Sequence, residues 1–395
     1  MPKGMFIPDS SMTRFLTHNL ILAAGISLIL TGGLVGILFY SNSVAGIDTP
    51  PDRVIVGDTP EFMKFEGLAP TMEPWENGLR TNPMPGTFDW WYLQGTFSDG
   101  SHAEFTFFTK PWLDNTGPLQ PYIGVTITSP NGTVYHDVIR VSTDQFAAAR
   151  NTLNLTMGDN YLRGNLKVIV LHVESAKGFG ADLVFNSILP PSRFGGAGIW
   201  YFDPSLTRFS ALMDPMPYAA VHGSLTYDGK THQVQGDGYH DRQWGTINWN
   251  QVLDRWFWTT GHFGNYTIDT GAQVTSAFYD HQQLQNLYLA RGNQVLVDTM
   301  RGVTIQGTGN VTTPSGHDYP EILKMHWQNG SDTVDLSLTN PKVIQAASPV
   351  FNTNATIYGN PEYFRLGGNA TLSVNIGGVN ETESGPAVWE VNYAH

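Results

Sequence analysis

The sequence predicts an all-β chain built as two sandwiches or barrels, and three observations predict it. Charged residues make up only 14% of the 395 positions, against roughly 25% in an ordinary soluble protein, while aromatics reach 12%. The 42 glycines and 24 prolines cut the chain into short pieces, which suits strands joined by turns better than long surface helices. Within those pieces apolar and polar residues alternate with a period of two, the pattern of a strand with one buried face. A chain of this length holds two ordinary domains, each with a core of useful size.

The elements follow in order. Asn19–Tyr40 contains no charged residue and is long enough to cross a bilayer. Lys3 and Arg14 precede it, so residues 1–18 are expected in the cytoplasm and the bulk of the chain outside. A cleaved secretory signal is the competing reading, because Ser43-Val44-Ala45 has the small residues of a cleavage site. A buried core helix is a third. The first two both export the globular part, as a membrane-anchored extracytoplasmic protein or as a secreted one. Sequons for N-glycosylation at Asn131, Asn154, Asn265, Asn310, Asn329, Asn354, Asn369 and Asn380 fit an exported glycoprotein, and none precedes the apolar run. Residues 41–85 carry Pro50, Pro51, Pro60, Pro70, Pro74, Pro83 and Pro85 with no sustained period, and read as a linker.

The first β-domain is expected over residues 86–250 and the second over 251–395. Thr87–Gly95 and His102–Lys110 form a hairpin about Asp99-Gly100. In its second strand Ala103, Phe105 and Phe107 share one face, while His102, Glu104 and Thr106 share the other. Tyr122–Thr128 and Thr133–Val141 form the next hairpin, and Asp144–Arg150 is expected as a short helix. Leu162–Val173, Ala181–Leu189 and Ile199–Phe202 read as strands, whereas Met213–Tyr218, rich in Met and Pro, reads as irregular. In the second half Arg255–His262 and Asn265–Asp269 open a run of short strands that closes with Ala387–Tyr393.

One stretch concentrates chemistry: Gly236-Asp-Gly-Tyr-His-Asp-Arg-Gln-Trp-Gly245. The alternation of Val221–Thr226 before it places it on a strand or at a strand end. With unbroken pairing His240, Arg242 and Trp244 share one face, and Tyr239, Asp241 and Gln243 share the other. A bulge at Gly236 or Gly238 would re-aim that set. Asp241 and Arg242 can pair with each other, or hold His240 in one tautomer.

These residues, with the opening Asp89-Trp-Trp-Tyr92 and the later Arg255-Trp-Phe-Trp258, resemble the carotenoid 1,2-hydratase and AttH-like group. That group includes a fungal kievitone hydratase and resembles the lipocalin-like Diels–Alderases of polyketide pathways. The resemblance covers residues 86–395. It implies two lipocalin-like β-domains packed together, with an apolar ligand buried near the central motif. The family motif reads Gly-Tyr-His-Asp-His-Asn-Trp-Gly, so His240, Asp241, Trp244 and Gly245 match, while Arg242 and Gln243 replace its second His and its Asn. Carotenoid hydratases also use a Tyr and an Asp downstream, and Tyr266 and Asp269 lie in the corresponding region.

The implied chemistry is acid catalysis. Adding water to an isolated alkene passes through a carbocation and needs a strong proton donor, which a carboxylic acid kept neutral by burial can supply. Aromatic faces can then stabilise the cation. Asp241 or Asp269 would be the acid, with His240, Trp244 and Tyr266 completing the catalytic candidates. Trp91, Glu104, Tyr239, Arg242, Trp256 and Trp258 are the candidate ligand contacts. Cyclisation or isomerisation of a polyene would use the same parts. Each residue also has a plain structural reading: Asp241 tied to Arg242 or to backbone amides, His240 as a hydrogen-bonded histidine, the tryptophans as core, and Glu104 facing solvent. Two function classes stand: a hydratase, or related isomerase or cyclase, acting on an isoprenoid or polyketide-like molecule, and a tethered carrier of a hydrophobic ligand.

Other classes fall away. A formal charge of −13 with no basic cluster argues against nucleic acid. Without cysteine there is no disulfide, thiolate nucleophile or Cys-zinc site. His222, His232 and His240 lack zinc-site spacing, and no Gly-X-Ser-X-Gly elbow or Gly-rich phosphate loop occurs, so neither metal nor cofactor is expected.

Overall fold

The computed structural model describes residues 53–394, apart from 112, 114, 314–315 and 348–360. The run Asn19–Tyr40, the Ser43–Ala45 site and the Asn354 sequon lie outside the described residues. Among those described, no helix is long and apolar enough to cross a membrane. The seven described sequon asparagines are all exposed.

The described chain is overwhelmingly β, in two curled antiparallel sheets. The 13-stranded sheet runs from Val134–Arg140 through Tyr122–Thr128, His102–Phe108, Phe88–Phe97, Lys230–Gly245 and Phe209–Tyr227. It continues through Phe179–Ser187, Val168–Ser175, Asn160–Gly164 and Leu153–Met157 to Phe146–Ala148, and its other two strands lie off this path, Ile199–Tyr201 against Phe209–Tyr227 and Ile55–Gly57 against Ile199–Tyr201. Its two ends are neighbours in sequence, joined by the turn Thr143–Gln145, so the sheet curls around its own core. Leu93, Phe105, Phe107, Ile123, Leu171 and Phe185 fill that core. Asp137 on one edge accepts from Ser175 Oγ at 2.5 Å and pairs with Lys177 Nζ at 2.8 Å, tying the edge across.

The 9-stranded sheet repeats the plan. It runs from Gln294–Thr299 through Gln283–Arg291, Tyr266–Thr275, Leu253–Phe263 and Val379–Tyr393. Glu362–Ile376, Asp332–Ala347, Asp318–Asn329 and Val303–Thr312 complete it. Its ends too are consecutive in sequence. The Gln283 carboxamide clasps Ile305 across the gap, donating to its carbonyl at 3.0 Å and accepting from its N–H at 3.3 Å. Those are backbone groups an open edge would leave unpaired. Trp389, Val334, Leu366 and Leu372 lie in this second core. A third apolar cluster, with Phe88 and Trp90 from the first sheet, Leu284 and Tyr288 from the second, and Trp249 between, joins the two.

Three expectations are corrected. From Ile55 onward the stretch expected as a linker is part of the fold: Ile55–Gly57 pairs with Ile199–Tyr201, Pro60–Phe65 is a helix and Pro74–Asn77 a 3-10 turn with Glu76 and Asn77 buried. Two of the prolines that suggested a linker, Pro60 and Pro74, open those helices, where a missing N–H costs nothing. Residues 144–150 form no α-helix; the turn Thr143–Gln145 gives way to the strand Phe146–Ala148. Met213–Tyr218 is not irregular but lies inside the 19-residue strand Phe209–Tyr227. Pro215 and Pro217 are tolerated because the register shifts between Met213 and Met216 and again between Met216 and Ala219.

Candidate active site

The motif lies wholly within Lys230–Gly245, and its pairing with Phe88–Phe97 is unbroken from Gly236↔Phe97 to Gly245↔Phe88. The alternation read from the sequence therefore holds. The bulges fall in the other neighbour, Phe209–Tyr227, and not at the motif glycines. Gly236 serves close approach instead, since a Cβ there would lie 2.1 Å from the Thr96 carbonyl oxygen.

One face of the motif strand is structural. His240 Nδ1–H donates to the Tyr92 carbonyl at 2.8 Å, and its Nε2 accepts from the Asn77 amide at 3.1 Å. Burial lowers its pKa to about 4, so the ring is neutral. Arg242 pairs with Asp89, not with Asp241, and donates to the carbonyls of Gly78 and Glu76. Both charges of that pair are fully buried. Asp89 also accepts from the backbone N–H groups of Arg80 and Thr81, each at 3.0 Å. The guanidinium lies over Trp91 at 4.5 Å and Trp244 at 5.4 Å, and Trp91 Nε1–H donates to the Asn77 carbonyl. His240, Trp244, Arg242 and Trp91, all expected at the ligand, thus fasten the 74–81 segment to the sheet. None lines the cavity described next.

The opposite face looks into the gap between the sheets, where a cavity of about 290 Å³ lies. Trp90, Tyr92, Asp241 and Gln243 line it from the first sheet, Trp256, Trp258, Gln273 and Glu390 from the second, and Trp249 from the connecting turn of helix. Glu104 faces this cavity rather than bulk solvent.

At its wall three carboxyl groups converge on one phenol. The Tyr239 hydroxyl donates to Asp214 at 3.0 Å, with the Asp241 and Asp269 carboxyls beside it. Asp269 accepts from Trp258 Nε1 at 2.9 Å and from Asn286 Nδ2 at 3.1 Å. Asp214 is placed by the first bulge, which sets two residues, Asp214 and Pro215, opposite Asp241. Burial pushes the pKa of all three acids up, and for Asp214 and Asp241 the neighbouring carboxylates add to the rise. Asp269 reaches about 7. Like charges this close cannot all ionise, so the group holds protons at neutral pH. Asp241 is 5% exposed, borders the cavity and has an Oδ1 with no hydrogen-bond partner. It is the acid best placed to meet a ligand.

A second polar group sits elsewhere on the wall. Arg365, 2% exposed, binds Glu104 at 2.8 Å and Glu390 at 3.3 Å, and donates to the Tyr92 hydroxyl at 3.1 Å. Burial pushes the Glu104 carboxyl up, but the Arg365 charge and the His102 hydrogen bond outweigh it and keep it below its usual range. At Glu390 burial prevails over Arg365 and the pKa is raised.

The structure thus gathers Tyr239, Asp241, Asp269, Glu104, Trp256 and Trp258 about one cavity. Tyr266 is elsewhere, at the tip of the hairpin with Phe263, where its hydroxyl donates to Glu381 at 2.6 Å. Asp214, Arg365 and Glu390 were missed. The signal for Asp214 was a lone carboxylate inside the apolar run Leu212–Met216, and for Glu390 a charge on the alternating final strand.

Comparison with known proteins agrees with this architecture. The Diels-Alderase-like family model matches residues 167–342. The quinolone epoxide rearrangement protein penF of Penicillium thymicola is 30% identical over 23% of this chain and 25% of its own length. The corresponding asqO protein of Emericella nidulans is 22% identical over 46% of this chain and 53% of its own. The chain therefore spans a quarter to about half of the curated relatives it matches. Among solved structures, the AttH-type protein of Nitrosomonas europaea superposes with a TM-score of 0.60 at 15% identity, covering 85% of this chain and 99% of that one. CghA gives 0.56 at 13% identity over 82% and 96%, and kievitone hydratase of Nectria haematococca 0.52 at 15% over 82% and 96%. At such identities the structures speak for the fold alone. The resemblance to the AttH, kievitone hydratase and Diels–Alderase group is borne out; the narrower likeness to carotenoid 1,2-hydratase stays at the level of the motif.

Proposed function

We propose that this chain, sharing its fold with kievitone hydratase and matched by the Diels-Alderase-like family, is an acid catalyst acting on an apolar polyketide- or isoprenoid-like molecule. One observation carries the reading: three carboxyls whose pKa values burial raises cluster at Tyr239 beside an aromatic cavity, and Asp241, which lines that cavity, has an oxygen with no hydrogen-bond partner. A neutral Asp241 gives its proton to an alkene carbon, or to an epoxide oxygen as the C–O bond breaks, leaving a carbocation and a carboxylate. Trp256 and Trp258 line the space where that positive charge develops. Water then adds to the cation and returns its extra proton to the carboxylate, a net hydration. If the carboxylate instead removes a neighbouring proton, the product is an isomer. The tyrosine and its two other acids spread the charge left on Asp241. The activities that the relatives are named for, a kievitone hydratase and a quinolone epoxide rearrangement protein, both fit such a proton donor. In the same proposal Asn19–Tyr40 tethers the enzyme to a membrane, where apolar substrates concentrate, with the catalytic part outside the cytoplasm.

The test is turnover in D₂O of a panel of aryl epoxides and trisubstituted polyenes, read by mass spectrometry. Hydration appears as the mass of one added heavy water, isomerisation of an alkene as carbon-bound deuterium at otherwise unchanged composition, and isomerisation of an epoxide as a new chromatographic peak at the substrate's composition. Asp241→Asn should abolish either. Turnover retained by that variant would sink the assignment of the acid, and no turnover on any member would favour a carrier.

A further inference from the structure

Two side chains on the cavity wall have hydrogen-bonding capacity that the protein leaves unused. The Oε1 atoms of Gln243 and Gln273 are both shielded from solvent and without a partner, and both residues line the cavity. Gln273 is 7% exposed. A buried amide oxygen without a donor is costly, and native proteins rarely leave one unless something else supplies the bond.

Their placement is matched. Gln243 follows Asp241 by two residues on the same strand face, a step of roughly 7 Å. Gln273 follows Asp269 by four on the facing sheet. Gln243 pairs across the ladder with Trp90, and Gln273 with Trp256. Those indoles meet through Trp249, with ring centroids 5.0 Å and 5.2 Å apart, so both amides flank one tryptophan trio. Indoles set at 52° and 84° to the central one offer both a face and an edge to an aromatic ring, and a neutral amide on each side suits a ring system with a polar edge. An anion is disfavoured by the ionised Glu104 on the same wall and by the overall charge of −13. A carboxamide edge, C=O beside N–H, is complementary to a lactam edge, N–H beside C=O.

We propose that Gln243 and Gln273 form a head-group subsite that positions an aromatic lactam or secondary amide by its N–H, with the reacting carbon held at Asp241. This deepens the catalytic reading above and rests on it for the role of the cavity, but binding can be tested without turnover.

The experiment is a tryptophan-fluorescence titration of the detergent-solubilised full chain with 4-phenyl-2-quinolone and its N-methyl derivative. The lactam N–H should bind about tenfold or more tighter than the N-methyl compound, the scale of one buried hydrogen bond. Gln243→Leu and Gln273→Leu should each shrink that preference, and Gln273→Met serves if the leucine variant fails to fold. Asp241→Asn should keep the preference while losing turnover. Equal affinity for the two compounds, binding by neither, or a preference that survives in the doubly substituted protein would overturn the subsite. Turnover persisting alongside such a result would leave the acid assignment standing alone.

Discussion

Tyr239 donates its hydroxyl hydrogen to Asp214 at 3.0 Å, with the Asp241 and Asp269 carboxyls beside that pair. Burial and the neighbouring carboxyls raise the Asp214 and Asp241 pKa values, and burial raises that of Asp269, so this group keeps protons above the usual carboxylate range. Tyr239→Phe should leave the acids in place but unaligned. We expect kcat to fall by about 10²–10³-fold, on the scale of losing one preorganised hydrogen-bond donor, with a smaller change in KM. Steady-state kinetics on whichever epoxide or polyene the panel identifies will measure it.

Acid strength sets a pH profile for stability. Asp269 has an ordinary value of 3.8 and about 7 in the fold, with Asp214 and Asp241 also raised. Between these limits the folded chain binds more protons than the unfolded one, so its stability falls as pH rises through about 4 to 7. Above that window the loss is complete. Asp269→Asn should flatten the dependence in urea titrations taken at several pH values. A slope unchanged by the substitution would mean that Asp269 titrates normally.

The same acids set the profile of activity. A donor that must be protonated loses function as pH climbs, so kcat should decline on the alkaline side as Asp241 ionises, and because burial and the Asp269 carboxylate both raise the Asp241 pKa, that limb should lie far above the usual carboxylate range. His240, held neutral with a pKa of about 4, should contribute no limb between pH 5 and 8. An imidazole NMR titration showing a midpoint near its ordinary 6.5 would contradict its buried, hydrogen-bonded setting.

Arg242 and Asp89 are fully buried and bind each other. Asp89→Ala should cost about 3–5 kcal/mol, because the guanidinium would be left uncompensated. The reading predicts no selective loss of ligand affinity, since neither residue lines the cavity. Denaturant unfolding compared with ligand titration separates the two effects.

Gly236→Ala probes the ladder. Its Cβ would press on the Thr96 carbonyl at 2.1 Å and on the Phe97 Cα at 2.8 Å, both main-chain atoms that side-chain rotation cannot clear. A loss on the order of 1–3 kcal/mol is expected, read as a lower unfolding midpoint.

Much of this was legible beforehand. The period of two correctly divided the motif into a His240–Arg242–Trp244 face and a Tyr239–Asp241–Gln243 face, because the pairing with Phe88–Phe97 has no bulge. Which face met the ligand was not legible. The stretch 74–81 that covers the first face looked like a linker, and its partners Asn77 and Asp89 lie 163 and 153 residues from His240 and Arg242. Asp214 escaped notice because a bulge, invisible to strict alternation, aims it. Glu390 and Arg365 meet Glu104 only when the two sheets come together, a contact that no local pattern encodes.

The place of Phe88–Phe97 in mid-sheet has a consequence for biosynthesis. One of its flanks is covered at once by the hairpin partner His102–Phe108, but the other waits for Lys230–Gly245. During translation that flank, with Trp90 and Trp91 along it, stays open while well over a hundred further residues are made, an interval in which unpaired strands attract one another. Yield of soluble chain should thus respond to translation rate and chaperone supply more than to the stability of the finished fold.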